Sequence, residues 1–97
     1  MQSRRQKILQ SLRAGLPALQ REFPLRRLAL FGSAVRDEAG ADSDIDILVD
    51  VEASIGLGFV TLAERLEELV GHKVDLVSRR ALPPRLWKAI EPELIDV

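Results

Sequence analysis

The sequence predicts an α/β domain in which a small mixed sheet of three to four strands is flanked by helices. Three observations predict it: apolar residues recur at helical spacing from Ile8, alternate at strand spacing from Ile45 to Val51, and return to helical spacing from Phe59 to Leu69. At 97 residues the chain has material for one core, so a single domain over residues 1–97 is expected.

The first helix carries Ile8, Leu12, Leu16, Leu19 and Phe23 on one stripe. Pro17 interrupts it. A proline removes a helical donor and clashes one turn back, so a kink or restart is expected there, and Pro24 closes the helix. "LRRLALFG" reads as a short strand ending at Gly32, because Leu28, Leu30 and Phe31 are too densely apolar for a surface loop. Ser33 is a good N-cap and Gly40 a good stop, which predicts a short helix from Ser33 to about Ala39. "DIDILVDV" is the clearest strand, with Ile45, Ile47, Val49 and Val51 on one face and Asp44, Asp46, Leu48 and Asp50 on the other.

In "IGLGFVTLAERLEELVG", Phe59, Leu62, Leu66 and Leu69 form the inner face of an amphipathic helix that Gly71 stops. "KVDLVS" reads as another buried strand, with Asp75 between Val74 and Leu76. "LPPRLWKAIEPEL" opens on prolines, as a first helical turn allows, and Pro92 is expected to end that helix.

Charge is unevenly spread. Residues 1–27 hold seven Lys/Arg against one Glu, residues 28–78 three against eleven Asp/Glu, and residues 79–97 four against three. An acidic middle between basic flanks suits a site that binds cations and, through them, phosphates. The net charge of -1 gives no reason to expect direct nucleic-acid binding. Without cysteine there is no disulfide framework or thiolate metal site, which fits a reducing cytosol. No apolar run approaches signal-peptide or membrane-span length, and a cytoplasmic location without membrane association is expected.

Two like charges at the start of a half-buried strand call for a cause. Residues two apart on a strand project the same way with Cα atoms roughly 6.6 Å apart, so Asp44 and Asp46 repel unless something neutralises them. A divalent cation does so, and Mg²⁺ is commonly held by one or two carboxylates plus substrate phosphate oxygens. Two such ions can clamp the attacking and leaving oxygens of a phosphoryl transfer. Asp75, on a neighbouring strand, is the candidate third carboxylate. Gly32 and Ser33 supply the other half: glycine lets backbone approach a phosphate, and the serine adds a hydroxyl donor. For that turn to face the carboxylates the first two strands must be antiparallel neighbours. Arg36, one turn on, is placed to reach a triphosphate.

The joint pattern is Gly-Ser after a strand, ten intervening residues, Asp-any-Asp opening a second strand, and a lone Asp in a third. It resembles the DNA polymerase β-type nucleotidyltransferase superfamily. Within that superfamily "LALFGSAVR", "DSDIDILV", "KVDLVS" and "ALPPRLWKAI" are similar to the minimal nucleotidyltransferases, the antitoxin halves of HEPN-type toxin–antitoxin pairs. The resemblance covers nearly the whole chain. It implies metal-binding and catalytic carboxylates at Asp44, Asp46 and Asp75 and a phosphate-holding turn at Gly32 and Ser33, with Arg36 assisting. It further implies ATP as substrate, Mg²⁺ as metal, and transfer of AMP to a tyrosine of a partner HEPN-type toxin. The alternative it leaves open is a catalytically silent antitoxin that neutralises the toxin by binding alone. One departure is Asp37, where many relatives carry glycine after the arginine, so a negative charge lies near the phosphate entry. Larger superfamily members hold the base with a second domain; here oligomerisation or a toxin complex is expected to cover the nucleotide.

An EF-hand counted from Asp42 fails, because Ile47 and Ala53 stand where glycine and glutamate are required. No Gly-rich loop with lysine follows a strand, which excludes a P-loop. His72 is read as a surface turn residue and Trp87 as packing the last helix on the core. Asp50, about 13 Å from Asp46 by strand rise, is read as solvated. Arg26 and Arg27 are assigned to solvent. Arg79, Arg80, Arg85 and Lys88 read either as a phosphate- or partner-steering cluster or as solvent-facing charge.

Overall fold

The computed structural model describes residues 2–36 and 43–97. Its elements are α1 (Arg4–Glu22), β1 (Leu25–Phe31), β2 (Ile45–Val51), α2 (Gly58–Val70), β3 (Val74–Ser78), α3 (Pro84–Ile90) and β4 (Ile95–Asp96). Single 3₁₀ turns lie at Gly32–Ala34, Ala53–Ile55, Arg79–Ala81 and Glu91–Glu93. The sheet order is β3-β2-β1-β4, with β1 antiparallel to both β2 and β4 and β2 parallel to β3. The parallel pair needs a crossover, which α2 provides. Among the described residues no helix is long and apolar enough to cross a membrane.

A capping box opens α1. Ser3 Oγ accepts from the Gln6 amide at 3.2 Å, and Gln6 Oε1 accepts from the Ser3 amide at 3.0 Å. The helix then runs through Pro17 without the expected restart. An internal proline costs about 3 kcal/mol, but buried leucines contribute roughly 1.5 to 3 kcal/mol each. Leu12 and Leu19 lie on either side of Pro17 and anchor both halves to the core.

The sheet has two covered faces. Leu28, Leu30, Ile45, Ile47, Val49 and Val51 pack under α1 and α2 against Ile8, Leu12, Leu62 and Leu66. Ala29, Phe31 and Leu48 on the opposite face meet Trp87, Ile90 and Leu94. The alternation read along "DIDILVDV" is therefore real, and Trp87 packs as expected.

Three features differ from expectation. The turn after β1 is a single 3₁₀ turn that starts at Gly32, so Ser33 lies inside it and caps nothing. The rest of the predicted Ser33–Ala39 helix falls on residues outside those described. Helix α2 begins at Gly58 rather than Ile55, because Gly56 takes φ 50° and breaks the chain direction; it ends as predicted at Gly71, a left-handed cap with φ 67°. Helix α3 stops at Ile90 with Glu91 as its cap, so Pro92, in the 3₁₀ turn that follows, ends the helix as expected. The chain then adds β4, whose Ile95 and Asp96 pair with Leu30 and Ala29.

Candidate active site

Strand register brings the predicted residues to one end of the sheet. Phe31, the residue before Gly32, is paired with Asp46, and Asp46 is paired with Asp75 across the parallel β2–β3 ladder. Neighbouring strands lie about 4.8 Å apart, so the two carboxylates are side-by-side neighbours. Asp44 stands one residue ahead of β2. Asp46 is half-buried, whereas Asp44 and Asp75 are exposed. Arg4 of α1 donates from Nη2 to the Ser43 carbonyl at 3.3 Å, which ties the approach to β2 to the helix layer.

Gly32 is required here for two reasons. Its φ of +77° favours glycine, and a Cβ at this position would run into Asp46 Oδ2. The Asp46 carboxylate thus packs directly on the α-carbon of the turn. The Gly32 amide donates to Glu93 Oε2 at 3.1 Å. The same carboxylate accepts from Arg36 Nη1, at 3.0 Å through Oε1 and 2.8 Å through Oε2. The Ser33 hydroxyl has no hydrogen bond among the described residues. Asp37 lies outside them.

Glu93 is the residue that sequence reasoning missed. It is one acid in "EPEL" with no motif around it, and its partners are 57 and 61 positions away. Only the return of the chain into β4 brings it to the turn.

The electrostatics follow from this crowding. Burial, then the charges of Asp75 and Asp44, push the Asp46 carboxyl above the ordinary carboxylate range; Arg36 opposes the shift and Glu93 adds to it. Among the described residues no three His, Cys, Asp or Glu side chains are gathered closely enough to hold a metal ion by themselves. Asp44, Asp46 and Asp75 therefore share an end of the sheet without forming a closed cage. The donor set is all carboxylate oxygen, carries uncompensated charge and leaves coordination to be completed from outside. That combination suits a hard dication which keeps waters and shares a substrate's phosphate oxygens.

The basic residues after β3 lie elsewhere. Arg79 stacks on the Trp87 ring, 3.9 Å from its centroid. Arg80 lines a cavity of about 430 Å³ with Arg26, Asp50, Glu52 and Ser54. Both arginines follow the far end of β3, roughly 13 Å along the strand from Asp75, so neither stands at the carboxylates. Arg26 and Arg27 are not simply solvated, as expected from sequence; Arg26 pairs with Glu52 at 3.3 Å and Arg27 with Asp96 at 2.6 Å. His72 sits in the α2–β3 turn with Nδ1 3.3 Å from the Lys73 carbonyl.

A helix-backed mixed sheet that sets strand-borne aspartates against a Gly-Ser turn is the arrangement of a nucleotidyl-transfer domain. The chain belongs to the nucleotidyltransferase domain family, whose model matches residues 12–97. It is 44% identical over 80 residues to the protein adenylyltransferase MntA of Thermococcus cleftensis, covering 81% of each chain. A solved minimal nucleotidyltransferase superposes with a TM-score of 0.79 at 38% identity over 92% of both chains. Two solved toxin–antitoxin complexes are also similar. One holds AMP-PNP (TM-score 0.66, 27% identity, 95% of this chain and 70% of that one). The other is a tri-AMPylated HEPN toxin of Shewanella oneidensis with its MNT antitoxin (TM-score 0.58, 26% identity, 96% and 67%).

Proposed function

We propose that this chain is a cytoplasmic protein adenylyltransferase that moves AMP from ATP to a hydroxyl, a tyrosine, of a partner HEPN-type toxin and so acts as its antitoxin. The observation that carries the reading is the Asp46–Asp75 pair in register, with Asp44 beside it and the Gly32–Ser33 turn against Asp46. The likeness to MntA and to the AMP-PNP and tri-AMPylated complexes supports the donor, the transferred group and the class of acceptor.

In the step, the acceptor oxygen attacks the α-phosphorus of ATP and a new O–P bond forms. The bond from the α-phosphorus to the bridging oxygen breaks, and pyrophosphate leaves with the electron pair. The hydroxyl proton passes to Asp75. The Ser33 hydroxyl, with the neighbouring turn, holds the triphosphate. Asp44 and Asp46, with Asp75, would hold Mg²⁺, two ions in the full site, and the metal supplies neutralisation of phosphate charge and alignment of the reacting oxygens. The protein's share is positioning and prearranged charge.

The test is incubation of purified chain and its toxin with Mg²⁺ and ATP labelled on the α-phosphate. Label is expected on the toxin, lost in Asp44→Asn by at least about 100-fold with little change in Tm. An Asp44→Asn variant as fast as wild type overturns the assignment. The competing reading is a binding-only antitoxin. Neutralisation of the toxin without label would establish it.

A further inference from the structure

Glu93 enters this site from the far end of the chain. Gly32 is held between two carboxylates, with Asp46 against its α-carbon and Glu93 on its amide. The backbone at the β1–turn junction is thereby fixed from both sides. The second half of the Glu93 carboxylate's work is the Arg36 pair, in which Nη1 donates to both carboxylate oxygens at 2.8 and 3.0 Å. The pair is part-exposed, 44% at Arg36 and 31% at Glu93, so it is a weak contributor to folding stability and a strong constraint on geometry. It is also maintained against the like charge of Asp46. The Ser33 hydroxyl, between the two anchored residues, stays available to a phosphate.

We infer that Glu93 is a positioning residue for nucleotide binding, its carboxylate holding the Gly32–Ala34 turn and Arg36 in the arrangement that receives the triphosphate. The inference rests on the nucleotidyltransferase reading above. It makes the segment joining α3 to β4 part of the nucleotide site, although no motif in that segment marks it.

The competing geometry is a carboxylate that occupies the phosphate seat and must be displaced, and the two predict opposite signs. Calorimetric titration of Mg-AMP-PNP into wild type, Glu93→Gln and Glu93→Ala reads the sign, with Tm and transfer of label measured on the same proteins. Glu93→Gln keeps an acceptor for the Gly32 amide and loses the charge facing Arg36. Its Kd is expected to rise about threefold to tenfold, and that of Glu93→Ala by more than about tenfold, with the loss in KM rather than kcat and Tm within a few degrees. An unchanged or tighter Kd overturns the inference, as does an affinity loss that only tracks a fall in Tm. Wild type that binds AMP-PNP but labels no toxin sinks the transfer reading and leaves the affinity comparison intact. Wild type that binds no AMP-PNP sinks both.

Discussion

The Asp46 carboxyl is half-buried between the Gly32 α-carbon and Asp75, and burial with the charges of Asp75 and Asp44 raises its proton affinity. The folded chain therefore holds a proton on Asp46 at pH values where the unfolded chain, with an ordinary carboxylate near about 3.9, has lost it. Unfolding then releases a proton, and stability contributed by this group falls as pH rises from the ordinary value through the raised one. Asp46→Asn is expected to flatten that slope and to be the more stable protein at pH 7 without divalent cation, by thermal melts across pH 3 to 8. Added Mg²⁺ should raise the wild-type Tm at pH 7 and leave the Asn variant nearly unmoved. A wild type insensitive to both pH and Mg²⁺ in that range would mean that the carboxylates do not feel one another. The Asp44–Asp46 spacing was visible in the sequence because it is local. The reason for Gly32 was visible only in half, since the carboxylate that a Cβ would strike is on another strand.

Helix α1 shows how an element can contradict its own propensities. Pro17 is exposed and lies inside the helix, while the buried face is supplied by Ile8, Leu9, Leu12 and Leu19. Since Pro17 is exposed, Pro17→Ala should restore one backbone donor and stabilise the protein by about 1 to 3 kcal/mol in urea unfolding. Destabilisation by that change would mean that a bend at Pro17 is required for packing. "LPPRLWKAIEPEL" has the periodicity of a longer helix, yet the chain exchanges its last turn for a 3₁₀ turn and a two-residue strand that satisfies the free edge of β1. Two residues are too few for alternation to be seen.

Across the molecule, the layers divide the labour. The α1/α2 side holds most of the buried core, and the α3 side is a smaller cluster around Ala29, Phe31 and Leu48, covered by Trp87, Ile90 and Leu94. The sheet face under α3 is also the face that carries Asp46, so the thinner layer borders the site. Trp87→Ala should cost about 2 to 4 kcal/mol and lower Tm by roughly 10 °C or more for a chain of this size, read by scanning calorimetry. A cost below about 0.5 kcal/mol would show that α3 is seated by other contacts. The paired charges Arg27–Asp96 and Arg36–Glu93 join the C-terminal segment to β1 and its turn, and each closes a span of more than 50 residues.

Period and punctuation made the α/β class, the inward faces of β2 and α2, the Gly71 stop and the Asp44–Asp46 spacing legible in the sequence. These features depend on neighbours within a turn or two of the chain, which is the range over which hydrophobic alternation and cap chemistry act. The antiparallel β1–β2 pairing was expected from the need for the Gly32 turn to face the carboxylates, whereas the parallel setting of β3, the added β4, the placement of Arg79 and Arg80 away from the carboxylates, and the Glu93 bridge required the folded chain. Periodicity says which face of a segment is buried and is silent about what covers it, and a single glutamate acquires its partners through a closure nearly sixty residues long.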